Sequence, residues 1–229
     1  MVLVGDSVPR GARVTPAEAA LLHEIAAWFD VKLDAGTLER VERFLELLTL
    51  WNRRIRLTGE RDLSLILRKH VADSLAPVAC LPDAGLVVDI GSGAGFPGII
   101  LACLRPDLEL VLIESRRRRV SFLRETIRQA RLPRARAVEA RAEDVVADAE
   151  IAGRARVVVG RAIRLEKFLA LAAPFVEPNG VAIAMQTPRS ATGGIAGTPA
   201  LLPAGRREYR LPEGECRTLL FFAPRRSVP

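Results

Sequence analysis

Apolar residues recur three and four apart through the first third of the chain and then collect into short runs, a change of period that divides the sequence in two. Thr15-Pro16-Ala17-Glu18 is a capping box with proline at the first helical position, and Leu22, Ile25, Ala26 and Phe29 follow at helical spacing. Asp34 can cap a second helix whose apolar stripe is Leu38, Val41, Phe44, Leu45, Leu48 and Trp51. A third begins after Asp62, with Leu63, Ile66, Leu67 and Val71 on one side. The turn-rich joint Leu81-Pro82-Asp83-Ala84-Gly85 ends this pattern, and beyond it apolar runs alternate with helical stretches. That alternation predicts an α/β fold with a mainly parallel sheet. Strands are expected at Leu86 to Ile90, Leu108 to Ile113, Arg136 to Glu139, Val157 to Gly160 and Val181 to Gln186. Two more, Arg207 to Leu211 and Arg217 to Phe222, flank "PEGE" and predict a C-terminal antiparallel hairpin. The expected organisation is an N-terminal helical region over 1–84 and an α/β domain over 85–229. The Gly/Pro/Ser/Thr-rich stretch from Thr187 to Gly205 reads as a long loop.

Composition narrows the class. With 229 residues, 49% of them hydrophobic, the chain can bury a sizeable core, as one domain or one domain with an appendage. No window approaches the roughly 18 consecutive apolar residues of a membrane span. The start "MVLVGDSVPRGARV" is too short in apolar residues for a secretory signal, so a cytoplasmic protein without membrane contact is expected. Cys80, Cys103 and Cys216 lack metal-type spacing; neither a disulfide framework nor a metal site is indicated, and they read as reduced core residues. The net charge of +7 is almost wholly arginine, since Lys32, Lys69 and Lys167 are the only lysines. Arginine suits phosphate and base-edge recognition, while modest positive charge also simply aids solubility.

Chemistry concentrates in "VVDIGSGAGFPG", Val87 to Gly98. From Gly93 the spacing is that of a dinucleotide fingerprint; from Asp89, with Gly91, Gly93 and Gly95, it is that of an S-adenosylmethionine loop. Both readings need a strand, a tight glycine turn and a helix N-terminus facing the site, and both expect a carboxylate at the tip of the next strand, where Glu114 stands. Asp89 discriminates: a carboxylate beside the turn would repel a pyrophosphate but favour an ammonium and a sulfonium. Ala142 and Glu143 follow the third strand, where an adenine edge would be read, and Phe96 at the turn can wall the cofactor. S-adenosylmethionine is therefore the expected cofactor. His70, Asp73 and Ser74 are the ingredients of a hydrolase triad, but spacing of three and four on one helix lacks the geometry a nucleophile and base need, so a triad is not expected. The run Arg116 to Arg119 opens a helix against its dipole, which favours a phosphate-facing role for Arg116, Arg117, Arg118 and Arg119 over a merely solvated face. Trp51 and Phe122 read as core aromatics, and aromatic residues at 5% leave little for base stacking.

The ordered segments "LLTLWNRRIRLTGERD", "RKHVADSLAPV", "VVDIGSGAGFPGI", "SRRRRVSFLRETI", "RAED" and "GRA" resemble the RsmG family, also called glucose-inhibited division protein B, from about Leu45 to Phe222. The resemblance implies a class I (Rossmann-like) methyltransferase sheet with an N-terminal helical region. It implies an activity too: transfer of a methyl group from S-adenosylmethionine to N7 of a guanine in 16S ribosomal RNA, on the RNA or the small ribosomal subunit, by a monomer. Matched positions carry cofactor contacts to Gly91, Phe96, Ala142, Glu143 and Arg161, with Glu114 in the ribose role on the general class I pattern. Guanine N7 has no proton to remove, so alignment and charge management replace a general base; Arg161 is the residue expected to position cofactor or guanine. Gly160-Arg161-Ala162-Ile163 stands where an exocyclic-amine methyltransferase would show an Asn/Asp-Pro-Pro-aromatic sequence, and no cysteine has the setting a carbon methyltransferase needs. "RLT", "GRA" and above all "AMQTP" (Ala184 to Pro188), where the family commonly has lysine and glycine, depart from its pattern. The competing classes are a class I methyltransferase acting on a small molecule or protein, and a non-catalytic RNA-binding ribosome-assembly protein; an NAD-dependent oxidoreductase stands further off.

Overall fold

The computed structural model describes residues 13–188 and 197–225. Side-chain caps start the helices where the sequence placed them. In α1 (Pro16–Trp28) the Thr15–Glu18 capping box is complete; α2 (Ala35–Ile55) begins with Asp34 accepting the Thr37 N–H at 2.6 Å and ends at Arg56 in the left-handed conformation. The third helix, α3, starts under Asp62 and is not uniform. An α-turn at Leu63–Ile66 passes into a π-helical turn at Leu67–Val71 and back into α at Ala72–Leu75. Helices α4 (Gly98–Leu104), α5 (Arg117–Gln129) and α6 (Leu165–Ala172) are the crossovers.

Seven strands form one sheet in the order β3-β2-β1-β4-β5-β7-β6, in which β7 alone runs against the others, pairing antiparallel with both β5 and β6. They are β1 (Leu86–Ile90), β2 (Glu109–Glu114), β3 (Ala135–Glu139), β4 (Ala155–Arg161), β5 (Val176–Gln186), β6 (Leu201–Arg210) and β7 (Cys216–Pro224). The last three are longer than their sequence signals. β5 absorbs Glu177 to Gly180 as an irregularity between Ala155↔Val176 and Val157↔Val181, and β6 carries Pro203 and Gly205 through a register shift, which an edge strand tolerates because half its backbone groups need no partner. Leu201 to Gly205, expected as loop, is thus strand; the middle of that expected loop lies outside the described residues.

Alternate residues of each strand enter different cores. Val87, Leu110, Leu112, Val157, Val159 and Ile183 face the side covered by α1 to α5, whereas Val88, Ile90, Val111, Val158 and Ala182 face α6. Phe122 of α5, fully buried, lies against Phe44 and Trp51 of α2 with ring centroids 6.2 and 5.8 Å apart, so the N-terminal helices share the core of the sheet. Cys103 is buried and Cys80 half-buried, but Cys216 is exposed at the start of β7 and is not the core residue expected. No helix among the described residues is long and apolar enough to cross a membrane.

In-register pairing aligns the carboxyl ends of the parallel strands. Ile90 sits opposite both Ile113 and Gly160, Glu114 opposite Glu139, and Arg161 opposite Met185. Successive strands are added outward from β1 to β3 on one side and outward from β4 on the other, so the order reverses at the β1–β4 boundary, the switch point at which α/β sheets open a crevice.

Phe122→Ala should lower the unfolding free energy by about 3–5 kcal/mol in urea denaturation, the usual range for emptying an aromatic core site. A loss below about 1 kcal/mol would show that the helical layer does not depend on this contact.

Candidate active site

β1 ends in the glycine turn. Gly91, with φ +72°, donates its N–H to the Ile113 carbonyl at 2.8 Å, and a Cβ there would approach Ile163 Cδ1 to 3.3 Å. Gly93, also left-handed at φ +57°, donates to Glu114 Oε2 at 3.1 Å, while the Arg116 N–H reaches Oε1 at 2.8 Å. Two backbone amides therefore fix the Glu114 carboxylate at the tip of β2, and Arg119 lies 3.6 Å from Oε2. The carboxylate also offsets the positive end of α5, the end at which Arg116 to Arg119 accumulate.

Asp89 lies beneath this turn, 1% exposed. Its Oδ2 accepts the N–H of Gly98 at 3.1 Å, and a Cβ on Gly98 would fall 2.5 Å from that oxygen, so a glycine at this position lets the carboxylate meet the first turn of α4. A pyrophosphate bound as in dinucleotide proteins would need that same helix terminus. The Asp89 carboxylate occupies it. Oδ1 has no hydrogen-bond partner. Burial, with a smaller push from the Glu114 charge, raises the Asp89 carboxyl to about 6, against Ser92, the Gly98 amide and the Arg161 charge, which favour ionisation. A buried carboxylate oxygen without a donor, beside a glycine turn, fits a ligand that brings a cationic group.

Two adjoining cavities open at the carboxyl edge, sharing Ala162, Ile163 and Arg164. One, about 360 Å³, is lined by Gly91, Glu114, Ala142 and Glu143 among others. The other, about 540 Å³, lies between α3 and the ends of β4, β5 and β7, with Glu60, His70, Asp73, Arg161, Gln186 and Arg217 on its walls. Ala162, between them, holds φ +58°, a strained conformation for a residue with a Cβ.

Arg161 is the hub of the larger cavity. Its Nη1 donates to Asp73 Oδ2 at 3.0 Å and its Nη2 lies 3.0 Å from His70 Nδ1, with the guanidinium carbon 5.5 Å from the centre of the Phe96 ring. The imidazole of His70 stacks on the same ring, centroids 5.3 Å apart. Since a guanidinium can only donate, Nδ1 must accept; Nε2 therefore carries the hydrogen and donates to Glu60 Oε2 at 2.9 Å. His70 is neutral in this arrangement. Burial and the Arg161 charge hold its pKa below the ordinary imidazole value despite Glu60, while that hydrogen bond lowers Glu60. Both His70 and Asp73 are presented by α3, the first from its π turn and the second from the α-turn that follows.

The structure thus brings Gly91, Glu114, Ala142 and Glu143 to one cavity and Arg161 to its neighbour. Phe96, expected to wall the cofactor, lines neither cavity; its ring is 4% exposed and serves as the plate under His70 and Arg161. Gly93 and Gly95 shape the turn from within. Arg116, Arg117 and Arg118 are exposed beside it, but Arg119 is engaged by Glu114. Ser74 bonds back to the His70 carbonyl at 2.7 Å and has no part in a triad. Sequence reasoning missed Glu60, Tyr209 and Arg217. They come from a loop and from the terminal hairpin, and only Tyr209, the single tyrosine, in the otherwise charged run "RREYR", stood out as irregular.

Comparison with known proteins agrees with this geometry. Ribosomal RNA small subunit methyltransferase G of Halorhodospira halophila is 38% identical over 160 residues, covering 69% of this chain and 74% of its own. The protein of the same name from Geobacter sp. strain M21 is 37% identical over 188 residues, 80% and 84% of the two chains. Among solved structures, a Klebsiella pneumoniae protein described as an O-methyltransferase superposes with a TM-score of 0.61 at 16% identity over 90% of this chain and 97% of that one. M. jannaschii TYW2, crystallised with AdoMet, gives 0.52 at 16% identity over 68% and 76%. These likenesses show the class I methyltransferase fold. The model of the GidB family, rRNA small subunit methyltransferase G, matches residues 37–198, and on that match and those relatives the chain belongs to this family.

Proposed function

We propose that this protein transfers a methyl group from S-adenosylmethionine to N7 of a guanine in 16S ribosomal RNA, presented by the small ribosomal subunit or its RNA. The observation that carries the reading is the pair of adjoining cavities, one built around Glu114 and the glycine turn, the other around Arg161. Family membership supports the rRNA substrate, and the chemistry of the second cavity supports a ring nitrogen as the acceptor. The cytoplasm, where ribosomes assemble, is the corresponding location.

S-adenosylmethionine supplies an electrophilic methyl group on a positively charged sulfur. Glu114, already rigid through the Gly93 and Arg116 amides, would accept the two ribose hydroxyls. Ala142 and Glu143 border the same cavity on the side suited to an adenine edge, and the free oxygen of Asp89 complements a cationic ammonium. In the larger cavity no proton need be removed from guanine N7, whose lone pair lies in the ring plane. The residues instead manage charge. Donor and methylated guanine are both cations, and an unpaired arginine here would oppose them; Asp73 neutralises Arg161, leaving its guanidinium to position a ring or a phosphate without a net positive field. Arg116, Arg117 and Arg118, exposed at the rim, extend the surface toward RNA phosphates.

The test of this reading is label transfer: with methyl-labelled S-adenosylmethionine and small subunits from cells lacking the gene, label enters 16S RNA and not ribosomal protein. Label confined to protein would contradict it. Asp89→Asn should weaken S-adenosylmethionine binding about tenfold in calorimetry at neutral pH, the scale of one charged hydrogen-bonding group; unchanged affinity would remove Asp89 from the cofactor site. The same variant reports a pH dependence. Because the folded-state pKa of Asp89 is raised from 3.8 to about 6, the fold favours the protonated acid, and the stability this gives is present at low pH and lost as pH rises through 6. In urea denaturation without ligand, wild type should therefore gain on Asp89→Asn by about 2 kcal/mol between pH 8 and pH 4. A constant difference across that range would show that Asp89 is not buried as a costly carboxylate.

A further inference from the structure

Tyr209 reaches the Arg161 cluster from the far edge of the sheet. It lies on β6, the outermost strand, yet its hydroxyl donates to Asp73 Oδ1 at 2.6 Å, the oxygen that Arg161 does not use. Asp73 is buried, and its two oxygens are divided between the phenol and the guanidinium. A carboxylate in that state cannot turn about its own axis without losing both bonds. Removing the phenol would free the rotation and leave Oδ1 to Arg217, whose Nε stands 3.9 Å away and would draw the carboxylate from Arg161. Burial and the Asp73 charge raise the Tyr209 pKa well above the ordinary phenol value, so the hydroxyl keeps the proton it donates.

The tyrosine is itself held. Its ring meets Phe29 edge-on, centroids 6.1 Å apart, and the next residue, Arg210, accepts the Trp28 indole N–H on its carbonyl at 2.9 Å. In the turn of the same hairpin, Glu213 pairs with Arg68 of α3 at 3.4 Å. The end of α1, the π-turned α3 and the terminal hairpin thus converge on one carboxylate. We infer that Tyr209 is a positioning residue of the methyl-transfer site, acting on Arg161 through Asp73, so that the hairpin sets the orientation of the guanidinium. This inference rests on the proposed role of Arg161.

Tyr209→Phe keeps the ring and its contact with Phe29 and removes the hydroxyl alone. In label transfer to small subunits, kcat should fall about 5- to 10-fold while KM for the subunit stays within about twofold, the signature of a group that acts on alignment rather than on uniform binding. Arg161→Ala should cost about 100-fold or more, and adding Tyr209→Phe to it should cost nothing further, because the route through which the tyrosine acts is gone. Since Tyr209 is the only tyrosine, 3-fluorotyrosine gives one fluorine resonance. That resonance should move on Arg161→Ala, a readout that needs no turnover and keeps the hydroxyl of the tyrosine. Wild-type kcat in Tyr209→Phe, an equal fractional loss with and without Arg161, or a fluorine resonance blind to Arg161→Ala would each overturn the inference. Undiminished transfer by Arg161→Ala would instead refute the proposed role of Arg161 and take the inference with it.

Discussion

Everything at the carboxyl edge of the sheet depends on keeping the Arg161 guanidinium in a site where its side chain is only 19% exposed. Withdrawing that charge from water is costly unless a partner compensates, and the compensation comes from an equally sheltered Asp73 at 3.0 Å, the neutral face of His70 and the Phe96 ring beneath. The cluster is assembled from three parts of the chain: α3 provides the carboxylate and the imidazole, the glycine turn provides the aromatic plate, and β4 delivers the arginine. The helical region and the sheet are therefore joined at the point where chemistry is proposed to occur, as well as through the Phe44–Phe122 core.

A second constraint operates below the glycine turn. Placing Asp89 inside the protein against Gly98 spends stability at neutral pH, because a carboxylate with one satisfied oxygen is buried there. The arrangement closes the helix terminus to phosphate and leaves a carboxylate oxygen ready for a cation. Glu114, by contrast, takes two amide hydrogen bonds and stands ready at no comparable cost. One is buried and incomplete, the other complete and at the cavity wall, and on the proposed function the two acidic groups divide selection of the cofactor between them.

What was legible in the sequence was local or periodic. Thr15, Asp34 and Asp62 announce their helices because an N-cap bond spans only three residues. The strands near the middle of the sheet read clearly because both faces are buried, and Glu114 followed from its position at a strand tip. The sequence did not disclose the π turn, since "LRKHV" carries no signal for it, nor the early start of β6, where Pro203 and Gly205 read as breakers but sit on an edge that tolerates them. The orientation of Phe96 and the network of Glu60, His70, Tyr209 and Arg217 depend on contacts distant in sequence, such as the 136 residues between Asp73 and Tyr209, which no spacing rule reaches.

The most direct measurement of the central claim is borohydride and aniline cleavage of 16S RNA taken from small subunits incubated with the protein and S-adenosylmethionine. That chemistry opens the chain at N7-methylguanine. The account predicts one new scission, at a single guanine, that requires both protein and cofactor. Methyl incorporation into the RNA with no scission would contradict it, because the acceptor would then be an atom other than N7.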